Sequence, residues 1–140
     1  MKVKCLHNRK RDLPVELQRE GVAYGPAYTD MPLTIGREYV VYAMTARAGF
    51  PWYFIQDDDE LPYPQAYPAP LFEITDTRLS RVWHFNIPGD VSKCEWPNWG
   101  PSEWVSDRFF YDRLTDCQPE EVRTFARYKA VMDREFEASA

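Results

Sequence analysis

Leu33–Met44 (LTIGREYVVYAM), Trp52–Glu60 (WYFIQDDDE) and Tyr67–Phe85 (YPAPLFEITDTRLSRVWHF) decide the fold of this chain. Short bursts of aromatic and β-branched residues are cut by Gly, Pro and Asp, which is how a small, strongly bent antiparallel sheet is written. Arg37–Met44 is the clearest strand. Tyr39, Val41 and Ala43 share one face, and Val40, Tyr42 and Met44 the other, so apolar groups on both sides predict a central or covered strand. Gly49-Phe50-Pro51 turns the chain, and Trp52–Ile55 is expected to pair back as a hairpin. Leu71–Thr75 reads as a further strand ending at Asp76-Thr77. Leu79–Ile87 alternates, with Leu79, Arg81, Trp83, Phe85 and Ile87 forming one nearly apolar face.

Working outward, Lys2–Leu6 alternates lysines with Val3 and Cys5, as an edge strand does. Asp12 is placed to cap a short helix begun by Pro14. Residues 21–33 read as a loop. Gln56–Pro70, dense in proline, is expected to form no ladder because proline lacks an N–H donor. Pro88–Pro101 reads as irregular. Ser102 is placed to cap a helix from Glu103 to about Leu114. Pro119 opens a last helix, whose stripe of Val122, Phe125, Lys129, Met132 and Phe136, widened by Ala126, predicts docking on the sheet. Strands first and helices last make an α+β domain. The expected fold is a strongly bent antiparallel sheet, as an SH3-like barrel or an open sheet, followed by two C-terminal helices. One domain over 1–140 is predicted, mainly β over 1–87 and helical over 102–137.

Composition narrows the function. Five Trp, nine Tyr and eight Phe exceed what a core of this size needs, so some rings are expected to line grooves or an interface. The net charge of −5 and the lack of a basic run beyond Arg9-Lys10-Arg11 argue against nucleic acid. MKVKCLHNRKR lacks the apolar stretch of a signal peptide, and no apolar run approaches the ~20 residues of a membrane span. Three sparse cysteines then suggest reduced thiols in the cytoplasm.

Candidate chemistry is sparse. The run Asp57-Asp58-Asp59-Glu60 lacks the spaced ligands and glycine of a calcium loop and reads as a solvated tip or a contact for a basic partner. Cys5, His7, His84, Cys94 and Cys117 lack the tight spacing of a structural zinc site. A small hydrolase or metal-dependent enzyme would have to use His84 with Cys94, and nothing in the spacing joins them. No cofactor motif is present. Tyr63, Tyr67, Trp96 and Trp99 lie in or beside the two irregular segments, where exposed rings make low-entropy binding anchors. Trp52, Trp83 and Phe72 are read as core.

The stretches quoted above, with Arg127–Phe136 (RYKAVMDREF), resemble a group of small bacterial single-domain proteins of uncharacterised function. The likeness covers about two thirds of the chain, and its motifs are structural. It implies a protein similar to the immunity proteins of bacterial toxin systems, with no catalytic residues carried over. The expected function is therefore non-enzymatic protein binding, as an immunity-type or adaptor protein. Asp57, Asp58, Asp59 and Glu60 would meet a partner's basic face beside Tyr63, Tyr67, Trp96 and Trp99. The alternatives are the His84/Cys94 enzyme and a barrel binding single-stranded nucleic acid on aromatic platforms. A homodimer through the Lys2–Leu6 edge or the aromatic loops is compatible with the sequence.

Overall fold

The computed structural model describes residues 1–18, 30–87 and 97–137. Its larger sheet is organised by one tight hairpin. Strands β3 (Ala43–Arg47) and β4 (Phe50–Ile55) pair with Arg47 opposite Phe50, leaving only Ala48 and Gly49 in the loop. Both have positive φ, 55° and 81°, the combination that lets a two-residue turn follow strand twist. Phe50 and Pro51, expected in the turn, already belong to the ladder.

The full antiparallel order of this five-stranded sheet is β5-β4-β3-β8-β7. Here β5 is Gln65–Pro68, β7 is Trp83–Asn86 and β8 is Asn98–Pro101. The other sheet has three strands in the order β2-β1-β6, from Lys2–Cys5 (β1), Glu38–Val40 (β2) and Phe72–Asp76 (β6). Neither sheet closes into a barrel among the described residues, so the α+β class takes its open form.

Arg37–Met44 is the corner between the two sheets rather than one strand. Its ladder breaks at Val41-Tyr42, where Val41 N–H reaches Met1 O and Tyr42 N–H reaches Phe54 O. This explains the apolar groups on both faces: Tyr39 and Val41 enter one core, Tyr42 and Ala43 the other. The first core lies between the sheets, around Val3, Trp52, Ile55, Leu71 and Phe72. The second joins the larger sheet to the helices through Phe54, Trp104, Phe110, Leu114, Phe125 and Met132.

Several expectations are corrected. β1 buries Val3 and Cys5 as its alternation predicts, but it is the central strand of its sheet. Lys2 and Lys4 reach Glu38 and Glu73 on the flanking strands, at 3.4 and 3.2 Å, and β1 offers no free edge for a dimer. The proline-rich segment does form a ladder, because β5 is an edge strand that can hold Pro68 at its end. β8 is a strand inside the supposedly irregular Pro88–Pro101. The face shared by Leu79, Arg81, Trp83, Phe85 and Ile87 is not buried: Leu79 and Phe85 are both 57% exposed. Residues 79–82 precede β7 and lie on the last helix, where Glu135 accepts from Ser80 Oγ (2.6 Å) and Arg81 N–H (3.0 Å).

The helical part holds α1 (Ser102–Val105), α2 (Phe110–Thr115) and α3 (Pro119–Glu137). The expected helix from Glu103 to Leu114 is thus broken at 106–109, and Ser102 lies inside α1 with Pro101 at the cap. Asp12 likewise caps nothing; two 3-10 turns, Lys10–Asp12 and Val15–Leu17, replace the short helix. In α3, Phe125, Met132 and Phe136 are buried and Lys129 turns its ammonium to Asp133 at 2.6 Å, whereas Ala126 faces out. Residues 21–29 of the expected loop lie outside the described residues.

Candidate functional site

Three places gather the side chains that the sequence singles out, or should have. The acidic turn follows β4. Asp57 is 2% exposed, accepting from Tyr67 Oη at 2.6 Å and from Asp59 N–H at 3.0 Å. Asp58 accepts from Thr34 Oγ1 (2.6 Å), Arg37 Nη1 (2.8 Å) and Tyr39 Oη (2.8 Å), while its own N–H reaches Pro32 O (2.9 Å). Asp58 therefore fastens the turn to the smaller sheet, and Asp57 ties it to β5 of the larger one. Burial, more than the Asp58 contact, pushes the Tyr39 hydroxyl up to about 12. Only Asp59 and Glu60 are exposed, and Glu60 sits at φ 53°, in the left-handed region. A four-acid solvated tip is not what the chain builds, because buried hydroxyls and an arginine claim its first two members.

The second place is a row of side chains across the larger sheet. Phe85 pairs with Trp99, Trp99 with Met44, Met44 with Tyr53, and Tyr53 with Tyr67, so all five lie on one face. At the β5 end Tyr53 and Tyr67 are 5% and 3% exposed, closed over by the smaller sheet, with Tyr53 edge-on to Phe72 at 5.9 Å. At the β7 end Trp99 is half-buried and Phe85 largely open, their ring centroids 4.9 Å apart. Of the predicted anchors, Tyr67 is thus core and Trp99 belongs to this ledge. Tyr63 is half-buried against the helical core, and Trp96 lies outside the described residues. The acidic turn and the ledge stand at different ends of the sheet.

The third place is a groove of about 400 Å³ on the opposite face, where α1 and α2 meet β3 and β8. Phe54, Trp104 and Tyr111 form its aromatic lining, with Thr45, Arg47, Asn98, Arg108, Phe109 and Asp112 around them. Trp104 stacks on Tyr111 with centroids 5.4 Å apart and 9° between planes, and meets Phe54 edge-on at 4.9 Å. Gly100 lets α1 sit close. A Cβ there would lie 3.0 Å from Ala43 Cβ and 3.6 Å from a Val105 methyl. Asn86 Nδ2 donates to Val105 O at 3.1 Å and ties β7 to the same helix. Sequence reading missed this groove, although the Arg108-Phe109-Phe110-Tyr111 run signals it: consecutive rings cannot all enter one core. Phe110 is buried and Phe109 is 54% exposed.

His84 is exposed on edge strand β7, and Cys94 lies outside the described residues, so their pairing falls beyond them. Cys5 is buried, its thiol donates to His7 O at 3.2 Å, and burial raises its pKa to about 11, which keeps it protonated. Cys117 is exposed. Among the described residues no three His, Cys, Asp or Glu side chains gather as metal ligands, and no helix is long and apolar enough to cross a membrane. Compared with protein-family models, curated proteins and solved structures, the chain matches none.

Proposed function

We propose that this protein is a non-enzymatic protein-binding domain of the immunity or adaptor type, whose partner brings a basic and partly apolar face. The observation that carries this reading is the Phe85–Trp99 ledge on an edge strand. Phe85 leaves more than half of its surface open beyond its contact with Trp99, and among the described residues β7 has one side of its main chain outside the ladder. Together these suit a partner segment laid along the edge, with main-chain hydrogen bonds for affinity and a ring for register. Asp59 and Glu60 contribute long-range attraction, while Asp57 and Asp58 hold the turn that presents them.

Retention of a host protein on the immobilised chain tests the reading, with the retained species purified and its kinetics remeasured. Phe85→Ser is expected to abolish retention. Asp59→Lys with Glu60→Lys is expected to slow association at low salt and to change little at high salt. Equal retention by wild type and Phe85→Ser would overturn the proposal.

A further inference from the structure

Two donors in the groove have no hydrogen-bond acceptor among the described residues. Trp104 is 95% buried, the complement of its 5% exposure. Among the described residues its indole N–H meets no acceptor, yet none of their enclosed side-chain nitrogens or oxygens lacks one. The N–H must therefore keep an opening to the outside, and Trp104 is one of the residues that line the groove. Arg47 is the second donor. Its guanidinium lies 4.2 Å above the ring of the fully buried Trp52, whose Nε1–H donates to Arg47 O at 3.0 Å. Arg47 is thus clasped at side chain and main chain, and among the described residues no carboxylate pairs with it. A guanidinium already held in place loses little freedom when it takes an anion.

The other polar groups are accounted for. Thr45 Oγ1 donates to Pro97 O at 2.7 Å. Asp107 is ion-paired with Arg113 and accepts Phe109 N–H at 2.9 Å. Arg108 lies against the Phe109 ring, 5.3 Å from its centroid. Asn98 adds a neutral amide, and Asp112 is the negative charge that an anion must avoid. The aromatic lining and the exposed Phe109 ring ask for a flat apolar body, and about 400 Å³ lies within the common range of small-ligand sites.

We infer that the groove between β3, β8 and the α1–α2 corner binds an aromatic carboxylate. The ring lies among Phe54, Tyr111 and Phe109, and the carboxylate accepts from Arg47 and the Trp104 indole N–H. This chemistry is offered by a small free acid and by a peptide's C-terminal aromatic residue. The site lies on the sheet face opposite Phe85, so either surface can fail without the other.

Nitrogen-edited NMR of the indole N–H resonances tests it, with phenylacetate as probe. One indole signal, the one lost in Trp104→Phe, is expected to move saturably. Arg47→Gln, at an exposed position, is expected to weaken binding about tenfold, the worth of one charge-assisted hydrogen bond. Phe109→Ser is expected to weaken it and Asp112→Asn to tighten it, and Arg47→Gln and Phe109→Ser keep the test open if Trp104→Phe does not fold. An acetylated tripeptide ending in a free-carboxylate phenylalanine identifies the source. Tighter binding than phenylacetate points to a peptide terminus, weaker binding to a small acid. No moving indole signal, an equal response to phenethylamine, or unchanged affinity in Arg47→Gln would overturn the inference.

Discussion

The aromatic row across the larger sheet ends in two ways. At the β5 end Tyr53 and Tyr67 are sealed beneath the smaller sheet; at the β7 end Phe85 lies open beside Trp99. The sheet, the pleat and the residue class are the same at both ends. What differs is whether a second layer covers them. A ring on this sheet is structural or available according to its neighbour across the layer.

The sharpest way to break that comparison is to remove a ring at each end. Tyr53→Ala is expected to cost about 3–5 kcal/mol in chemical denaturation, as large buried aromatics do. Phe85→Ala is expected to stay within about 0.5 kcal/mol. Similar losses at both ends would mean that the open end is also covered.

The acidic turn repeats the contrast within four residues. Asp57→Ala removes the acceptor that Tyr67 Oη and the Asp59 N–H share, and about 2–3 kcal/mol of stability is expected to go with it. Asp59→Ala is expected to leave the denaturation midpoint almost unchanged, since exposed charges contribute little. A smaller effect comes from the buried hydroxyls. Burial, with Asp133 accepting from Tyr42 Oη at 2.6 Å, raises Tyr42 above the usual tyrosine range, and Tyr39 is raised to about 12. Both must remain neutral in the folded chain. The stability they supply is present below about pH 10, where an unfolded tyrosine is neutral, and is lost as pH rises towards 12. Alkaline denaturation followed by tyrosinate absorbance is expected to be steeper for wild type than for Tyr42→Phe.

These contrasts mark where sequence reading stops. The hairpin, the α+β order and the stripe of α3 are legible because turn chemistry and periodicity are local. The division of Arg37–Met44 between two sheets is not, since a two-sided apolar strand and a corner between two cores share one pattern. Pairing of β8 with β3 depends on partners more than 50 residues away, as the Thr45–Asn98 register shows. At the candidate surfaces, Asp57 to Glu60 read as four equal charges because the hydroxyls that claim two of them, on Thr34, Tyr39 and Tyr67, come from other parts of the chain. The groove escaped for the same reason: Arg47 is positioned by Trp52, and Trp104 by Tyr111.

Gly100 and Ala43, nearly touching beneath α1, have a further consequence. They are two of the smallest residues in the alphabet, and they form the bed on which the helix that carries Trp104 comes to rest. Bulk in this region is carried from above. A single methyl at position 100 would wedge two strands apart by a few tenths of an ångström. The height of the roof over the sheet is thus set by what the floor leaves out.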